Sequence, residues 1–355
     1  MKKIKVAIIG VGSISNEHIK GYLADSNVEL YAFCDINGER LKMMGEKYGI
    51  TRLYTDEAEM LKALPELDAV SVCTWNSAHA PCTIMALDAG KHVLCEKPMA
   101  LNAKQAEEML EAAKRNGKLL MIGFVRRFGR DCDIVSEMAK NDRLGEVYYA
   151  KASYLRRNGH PGGWFGDKSR SGGGPLIDLG VHVIDLVRYL LDKPLATSVY
   201  GATFQKLGDR SNIKVAKAYV SAGAGEGKTI CDCEDLAVAT IRFDNGTVLS
   251  VEASFSLNMG KEDCSVQLFG TKGGVKIGDS VELYNETDGY LSNVTLEGKT
   301  GFHGGAFAEE TAHFVNCIIN GTPCRTPAED GVELMRILDA IYRSAESGHE
   351  ESIAR

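Results

Sequence analysis

The sequence predicts an α/β protein of two domains. The first, residues 1–124, is a doubly wound parallel sheet; the second, residues 125–355, is α+β with a large, mostly antiparallel sheet. Three observations predict this. A Gly10-Val11-Gly12 turn follows the first apolar run and precedes a helical pattern and a second apolar run. Strand and helix patterns then alternate as far as Gly123, which implies parallel pairing with crossover helices. Beyond Gly123 four or more strand patterns follow without helices between them, which implies antiparallel pairing. A chain of 355 residues is also long enough for two cores.

In chain order, residues 5–9 read as a strand ending at the Gly-x-Gly turn, and a helix runs to about residue 23. The first glycine permits a tight turn. The second lets a pyrophosphate approach the backbone at a helix N-terminus, where N–H groups and the helix dipole favour an anion. Ser15 stands where a third glycine is usual, and Ser is small enough for close helix–strand packing. The strand at 28–34 ends at Asp35, whose carboxylate can accept bonds from ribose hydroxyls and would repel a 2′-phosphate. NAD is therefore expected over NADP, with Arg40 working the other way. A helix at 38–47, a short strand at 53–54 and a helix start at 55–57 follow. The strand at 69–73 leads into Thr74-Trp75-Asn76 and a helix at 79–89, stopped by Gly90. Residues 92–95 read as a short buried strand leaving through Glu96-Lys97-Pro98; a helix at 103–116, capped by Gly117, and a strand at 119–122 close the domain.

The second domain starts with a helix at 130–140 and a strand at 145–154. A loop at 156–174, rich in glycine and charge, leads to a helix at 175–191. Strands are expected at 197–206, 233–243, 247–255 and 263–269, with Asp244-Asn245-Gly246 as a tight turn. Residues 223–227 read as a loop, and helices at 306–319 and 328–347 end the chain.

Composition excludes some classes. A net charge of −7 argues against a nucleic-acid surface. No apolar run is long enough to span a bilayer, and the N-terminus reads as a first strand rather than a signal peptide. The ten cysteines include no Cys-x-x-Cys pair, so they are expected to be reduced in a cytoplasmic protein, with no metal site.

Two stretches carry candidate chemistry. Ligands of open α/β sheets bind beyond the carboxyl ends of the strands, which is where Lys97 stands, with Pro98 fixing the backbone after it through a cis bond. Read alone, Glu96-Lys97-Pro98 reads first as a salt-bridged strand end. In the second stretch, glycines 172–174 give way to Pro175, which suits a first helical turn. Asp178 and His182 are four residues apart and share a face, with Asp185 on much the same side. A carboxylate beside an imidazole raises its pKa and orients it, making a proton acceptor near neutral pH. The alternative is that Asp178 complements the helix dipole and His182 is a core residue. Arg127, Arg156, His160 and Trp164 lie on segments expected to face a cleft, with His303 as a further candidate. Trp stacks on a pyranose and Arg forks onto hydroxyls or carboxylates; the bland reading is a solvated basic loop with one anchoring aromatic.

Over essentially its whole length the sequence resembles the glucose–fructose oxidoreductase / inositol dehydrogenase (Gfo/Idh/MocA) family. The resemblance rests on the Gly10-x-Gly12 turn, Asn76 and His79, Glu96-Lys97-Pro98, Gly123-Phe124 with Arg127-Phe128, and Gly174-Pro-Leu-Ile-Asp178-Leu-Gly180-Val-His182. Phe307, Phe314 and residues 327–330 fit as well. One departure is Trp75, where the family commonly has Pro before the Asn. The resemblance implies hydride transfer between nicotinamide and a secondary hydroxyl of a sugar, sugar derivative or inositol. It implies Lys97, Asp178 and His182 as the catalytic set, which also touches substrate. Gly10, Gly12, Ser13, Ile14, Asp35 and Arg40 are then expected at the cofactor, together with Thr74, Asn76, His79, Glu96 and Lys97. It also implies a homo-oligomer, dimer or tetramer, paired through the second domain's sheet. Two other readings exist within the family: a glycoside-cleaving enzyme that retains its NAD, and a non-catalytic dinucleotide-binding regulator. The intact Lys97, Asp178 and His182 argue against the regulator.

Overall fold

Short apolar runs buried on both faces build the first sheet. Its strands are β1 (Ile4–Ile9), β2 (Val28–Cys34), β3 (Leu53–Tyr54), β4 (Ala69–Val72), β5 (His92–Glu96) and β6 (Leu120–Gly123). In this computed structural model they pair in parallel in the order β3-β2-β1-β4-β5-β6. The structure describes residues 3–215, 219–221, 230–296, 301–302 and 305–353. His303 and the loop expected at 223–227 lie outside them.

The crossovers are α1 (Ser15–Ala24), α2 (Gly38–Tyr48), α3 (Glu57–Ala63), α4 (Asn76–Asp88) and α5 (Ala103–Asn116). Asn37, Asp56 and Asn102 cap α2, α3 and α5 by accepting a first-turn N–H. The order reverses between β1 and β4, the switch point at which such sheets bind ligands. The α4 helix starts three residues earlier than expected, with Trp75 at its N-cap.

The chain forms two units. One holds Met1–Val125 with Phe307–Val332, the other Arg126–Ala306 with Glu333–Arg355. The first unit thus takes in most of α9 (Ala306–Asn320) and the start of α10 (Ala328–Ser347). The segment between those helices extends the edge of the sheet: Ile122 N–H donates to the Thr326 carbonyl, and Met121 bridges Pro327.

The second unit carries α6 (Arg130–Lys140), the one-turn α7 (Lys168–Ser171), α8 (Val181–Leu190) and a nine-stranded sheet. Its strands are β7 (Val147–Leu155), β8 (Ala196–Phe204), β9 (Leu236–Phe243), β10 (Val248–Ser254) and β11 (Asp263–Gly270), then β12 (Gly274–Ile277), β13 (Val281–Thr287), β14 (Tyr290–Thr295) and β15 (Glu351–Ser352). They pair as β14-β13-β12-β11-β7-β10-β9-β8-β15, antiparallel except for β10 against β7. Alternation sends Val199, Ile241, Val251, Ala152 and Leu268 to the buried face. Tyr200, Thr240 and Lys151 are exposed, and Ser250 and Gln267 half-buried, along the opposite face.

One expectation is corrected. The segment at 175–191 is not a regular helix: residues Leu176–Gly180 form a π turn before α8, with Val181 N–H reaching back to the Leu176 carbonyl. The wide turn needs a small residue at its end. A Cβ on Gly180 would lie 3.1 Å from Leu176 Cδ1.

Candidate active site

In the first unit the Gly-x-Gly turn is shaped by close contact. Gly10 has a φ of 85°, and a Cβ there would lie 2.8 Å from the Cys73 carbonyl and the Thr74 nitrogen. A Cβ on Gly12 would meet no atom within 4 Å among the described residues. Bare backbone is thus presented just ahead of α1, whose N-cap position, Ile14, supplies no side-chain cap. The Ser15 hydroxyl, fully buried, donates to the Gly12 carbonyl at 2.7 Å, and the Ser13 carbonyl accepts Asn16 N–H. Asp35 ties the turn to β2: Oδ2 accepts Val11 N–H and Oδ1 accepts Asn37 N–H, each at 2.8 Å. Each oxygen keeps a second lone pair, so the carboxylate can still accept from a ribose. This cradle fits a dinucleotide. Arg40 sits half-buried in the first turn of α2.

Lys97 leaves the sheet directly after β5, and the Lys97–Pro98 peptide is cis. Its N–H donates to Glu96 Oε2 at 3.1 Å. Glu96 Oε1 lies 2.9 Å from His18 Nε2, and His18 Nδ1 lies 3.2 Å from Ser71 Oγ, which meets the Tyr22 hydroxyl at 2.6 Å. Burial works to raise the Glu96 pKa, but the bond and charge of His18, with the charge of Lys97, outweigh it, and the carboxyl is held below its ordinary range. Beside it on α9, Glu310 is fully buried, and among the described residues neither of its oxygens has a hydrogen-bond partner. Burial first, and the Glu96 charge second, push its pKa well up, which favours the protonated form.

Two cofactor expectations change here. Glu96 is 5% exposed with both oxygens engaged, so it supports the Lys97 loop from within the fold. His79 is buried as well: Nδ1 lies 2.7 Å from the Pro98 carbonyl and Nε2 3.3 Å from the Thr74 carbonyl. It joins the loop after β4 to the loop after β5, and burial lowers its pKa. Asn76, also buried, opens α4.

In the second unit, Asp178 lies in the π turn and is 8% exposed, and His182 is half-buried in α8. Tyr154 at the end of β7 links them to Arg156. Its ring centroid lies 6.4 Å from that of His182, and its hydroxyl accepts from Arg156 Nη2 at 3.3 Å. Burial opposes the Arg156 charge, but Tyr154, Asp178 and Glu262 outweigh it and raise the pKa. Tyr154, Arg156, Asp178 and His182 are one cluster. Sequence reasoning missed Tyr154, though it stands two residues before Arg156, the same-face spacing of a strand. It also missed Glu234, whose Oε1 accepts Leu176 N–H at 3.3 Å and the Tyr342 hydroxyl at 2.9 Å, anchoring the start of the helix that carries Asp178.

Three substrate expectations fare differently. Arg127 is corrected: it is fully buried, and its Nε and Nη2 donate to the two Asp185 oxygens at 2.9 and 2.6 Å, with the guanidinium over the Tyr189 ring. This is an internal ion pair with no face left for a sugar. His160 is corrected too: it is 3% exposed, accepts Gly162 N–H at Nδ1 and packs near Phe255. Trp164 is half-buried and stacks on Phe165, with centroids 4.1 Å apart.

Residues 4–124 match the family profile "Oxidoreductase family, NAD-binding Rossmann fold", and residues 136–353 match its "C-terminal alpha/beta domain". The chain belongs to the Gfo/Idh/MocA oxidoreductase family. Residues 4–124 are its NAD-binding Rossmann domain. Among relatives, a D-glucoside 3-dehydrogenase of Escherichia coli is 36% identical over 348 residues, covering 97% of this chain and 96% of that protein. A myo-inositol 2-dehydrogenase of Thermotoga maritima is 26% identical, with 97% and 96% covered. The aldose–aldose oxidoreductase of Caulobacter crescentus, solved with glycerol, superposes with a TM-score of 0.81 at 26% identity, covering 99% of this chain and 100% of that one. Among the described residues no helix is long and apolar enough to cross a membrane.

Proposed function

We propose that the protein is an NAD-dependent dehydrogenase that oxidises a secondary hydroxyl on a sugar ring, with glucosides as the first class to test. The observation that carries this is the station of Lys97. It directly follows β5 at the carboxyl end of the Rossmann sheet, with its backbone pinned by Glu96. The 36% identity to a glucoside 3-dehydrogenase favours a glucoside over an inositol.

When bound, NAD supplies the hydride acceptor. The chain's residues handle the proton and the substrate oxygen. His182 takes the proton of the reacting hydroxyl. Asp178 orients that imidazole and stabilises its charged form. The Lys97 ammonium hydrogen-bonds the reacting oxygen and stabilises the charge that develops there. Arg156, beside Asp178 and Tyr154, holds a neighbouring hydroxyl. Asp35 selects NAD over NADP. The protein is read as cytoplasmic, which its ten free thiols favour, and as a homo-oligomer paired through the exposed face of the nine-stranded sheet.

The test is a screen of sugars, glucosides and inositols for reduction of NAD at mildly alkaline pH, with NADP in parallel. Accumulation of NADH with a glucoside supports the reading. Binding of NAD without turnover of any carbohydrate overturns it.

A further inference from the structure

The second unit contains a cavity of about 620 Å³ lined in part by Arg156, whose charge Tyr154 and Asp178 favour. Residues from 156–159, 210–215 and 257–262, together with Tyr219, wall it. Side chains cross-link these walls. Arg210 donates to the Arg157 and Leu257 carbonyls at 2.7 and 3.0 Å and to the Asn258 side chain. Arg157 donates to the Gly260 carbonyl at 2.9 Å, and Asn158 to the Val215 carbonyl at 3.2 Å. The cavity is thus held in shape by its own walls, as a ligand site must be.

Its volume lies mid-range among pockets that hold drug-sized ligands, about 300–1,000 Å³, and exceeds what one hexose fills. Its chemistry is mixed. Asn158, Asn258 and Glu262 put amide and carboxylate groups in the wall, each with one atom held by a wall contact (Asn158 Nδ2 on the Val215 carbonyl, Asn258 Oδ1 on Arg210, Glu262 Oε1 on Arg157 N–H), while Tyr219, Leu257 and Met259 line it with apolar surface. That pairing matches the hydroxyl rim and C–H face of a sugar ring. An anion fits less well. Arg157 and Arg210 are engaged with backbone carbonyls, Arg156 faces Asp178, and Glu262 puts a negative charge in the wall.

We propose that this cavity is a subsite for a second sugar ring, so that the substrate is a disaccharide-type glycoside rather than a free monosaccharide. The inference rests on the dehydrogenase reading for its reaction, but the cavity's ligand can be measured separately.

The experiment uses the full chain loaded with NAD. Calorimetry compares binding of maltose and cellobiose with binding of glucose, methyl glucosides and phenyl glucoside, and NADH formation is followed on the same panel. At least one disaccharide is expected to bind about tenfold more tightly than glucose or its methyl glucoside. Met259→Trp, which fills the cavity, is expected to weaken disaccharide binding about tenfold while changing methyl glucoside binding less than about twofold. Equal binding of disaccharides and methyl glucosides by the wild type, or undiminished disaccharide binding by Met259→Trp, overturns the subsite. Phenyl glucoside binding as tightly as the best disaccharide overturns the assignment to a sugar. Tight disaccharide binding without NADH formation upholds the subsite and sinks the dehydrogenase reading instead.

Discussion

Glu96 and His18 meet at 2.9 Å in the core of the Rossmann unit, and the other oxygen of Glu96 holds the N–H of Lys97. Glu310 lies beside the pair with opposite chemistry: the Glu96 pKa is lowered and both its oxygens are bonded, while the Glu310 pKa is raised and among the described residues its oxygens have no hydrogen-bond partner. Glu96→Gln removes the carboxylate that His18 meets, and disturbing a buried hydrogen-bond partner costs about 1–3 kcal/mol. It should also slacken the Lys97 loop and lower kcat. Glu310→Gln replaces a group that is already uncharged. Because the folded pKa of Glu310 is raised, its contribution to stability is full below the ordinary Glu range and lost as pH rises above it. The Glu310→Gln variant should therefore gain on the wild type as pH rises, in thermal melts at pH 5 and pH 8. Equal losses from the two substitutions would refute this division of roles.

Glu57, in the first turn of α3, supplies a second pH test. Burial raises its pKa to about 7, with Asp56 adding to the rise and a bond from Cys82 opposing it. A folded pKa above the unfolded one means stability is lost as pH climbs from about 4.5 to about 7. Glu57→Gln should remove that slope and raise Tm at pH 8 by on the order of 3 °C, with little change at pH 4.5. Melts of wild type and variant that run parallel across the window would count against it.

The buried Arg127–Asp185 pair predicts a stability phenotype without a specificity phenotype. Arg127→Ala should cost about 3–5 kcal/mol, and Lys should rescue little because it cannot make the two parallel bonds. Denaturant titration measures the loss. A Lys variant of wild-type stability with a raised sugar KM would return Arg127 to the substrate.

Asp35 is predicted to set cofactor choice. Asp35→Ala removes both the charge that repels a 2′-phosphate and the acceptor of Val11 N–H. The ratio of kcat/KM for NAD over NADP should fall by about tenfold or more. An unchanged ratio would assign the choice to other residues.

Local chemistry made much of this legible in the sequence. The βαβ order around Gly10, Gly12 and Asp35 fixes an acceptor and a bare helix start within a short stretch of chain, and the structure places them as that pattern requires. Lys97 was legible because a strand end followed by Pro is a local signal. What stayed hidden depends on distant partners. Arg127 reads as a solvated base until Asp185, 58 residues on, is known to face it. The burial of Glu310 shows only once α9 is seen within the Rossmann unit. Likewise, Asp178 and His182 look like an ordinary helical pair. The π turn that holds Asp178 packs Gly180 near Leu176 and is tied at its start to Glu234, contacts that periodicity does not encode.

The most direct test of the account is NADH formation from a glucoside by Lys97→Ala and His182→Ala, with NAD binding measured alongside. Loss of the oxygen-stabilising ammonium or of the proton acceptor should each lower kcat by about 100-fold or more while NAD binding stays within a few-fold. Wild-type turnover in both variants would contradict it.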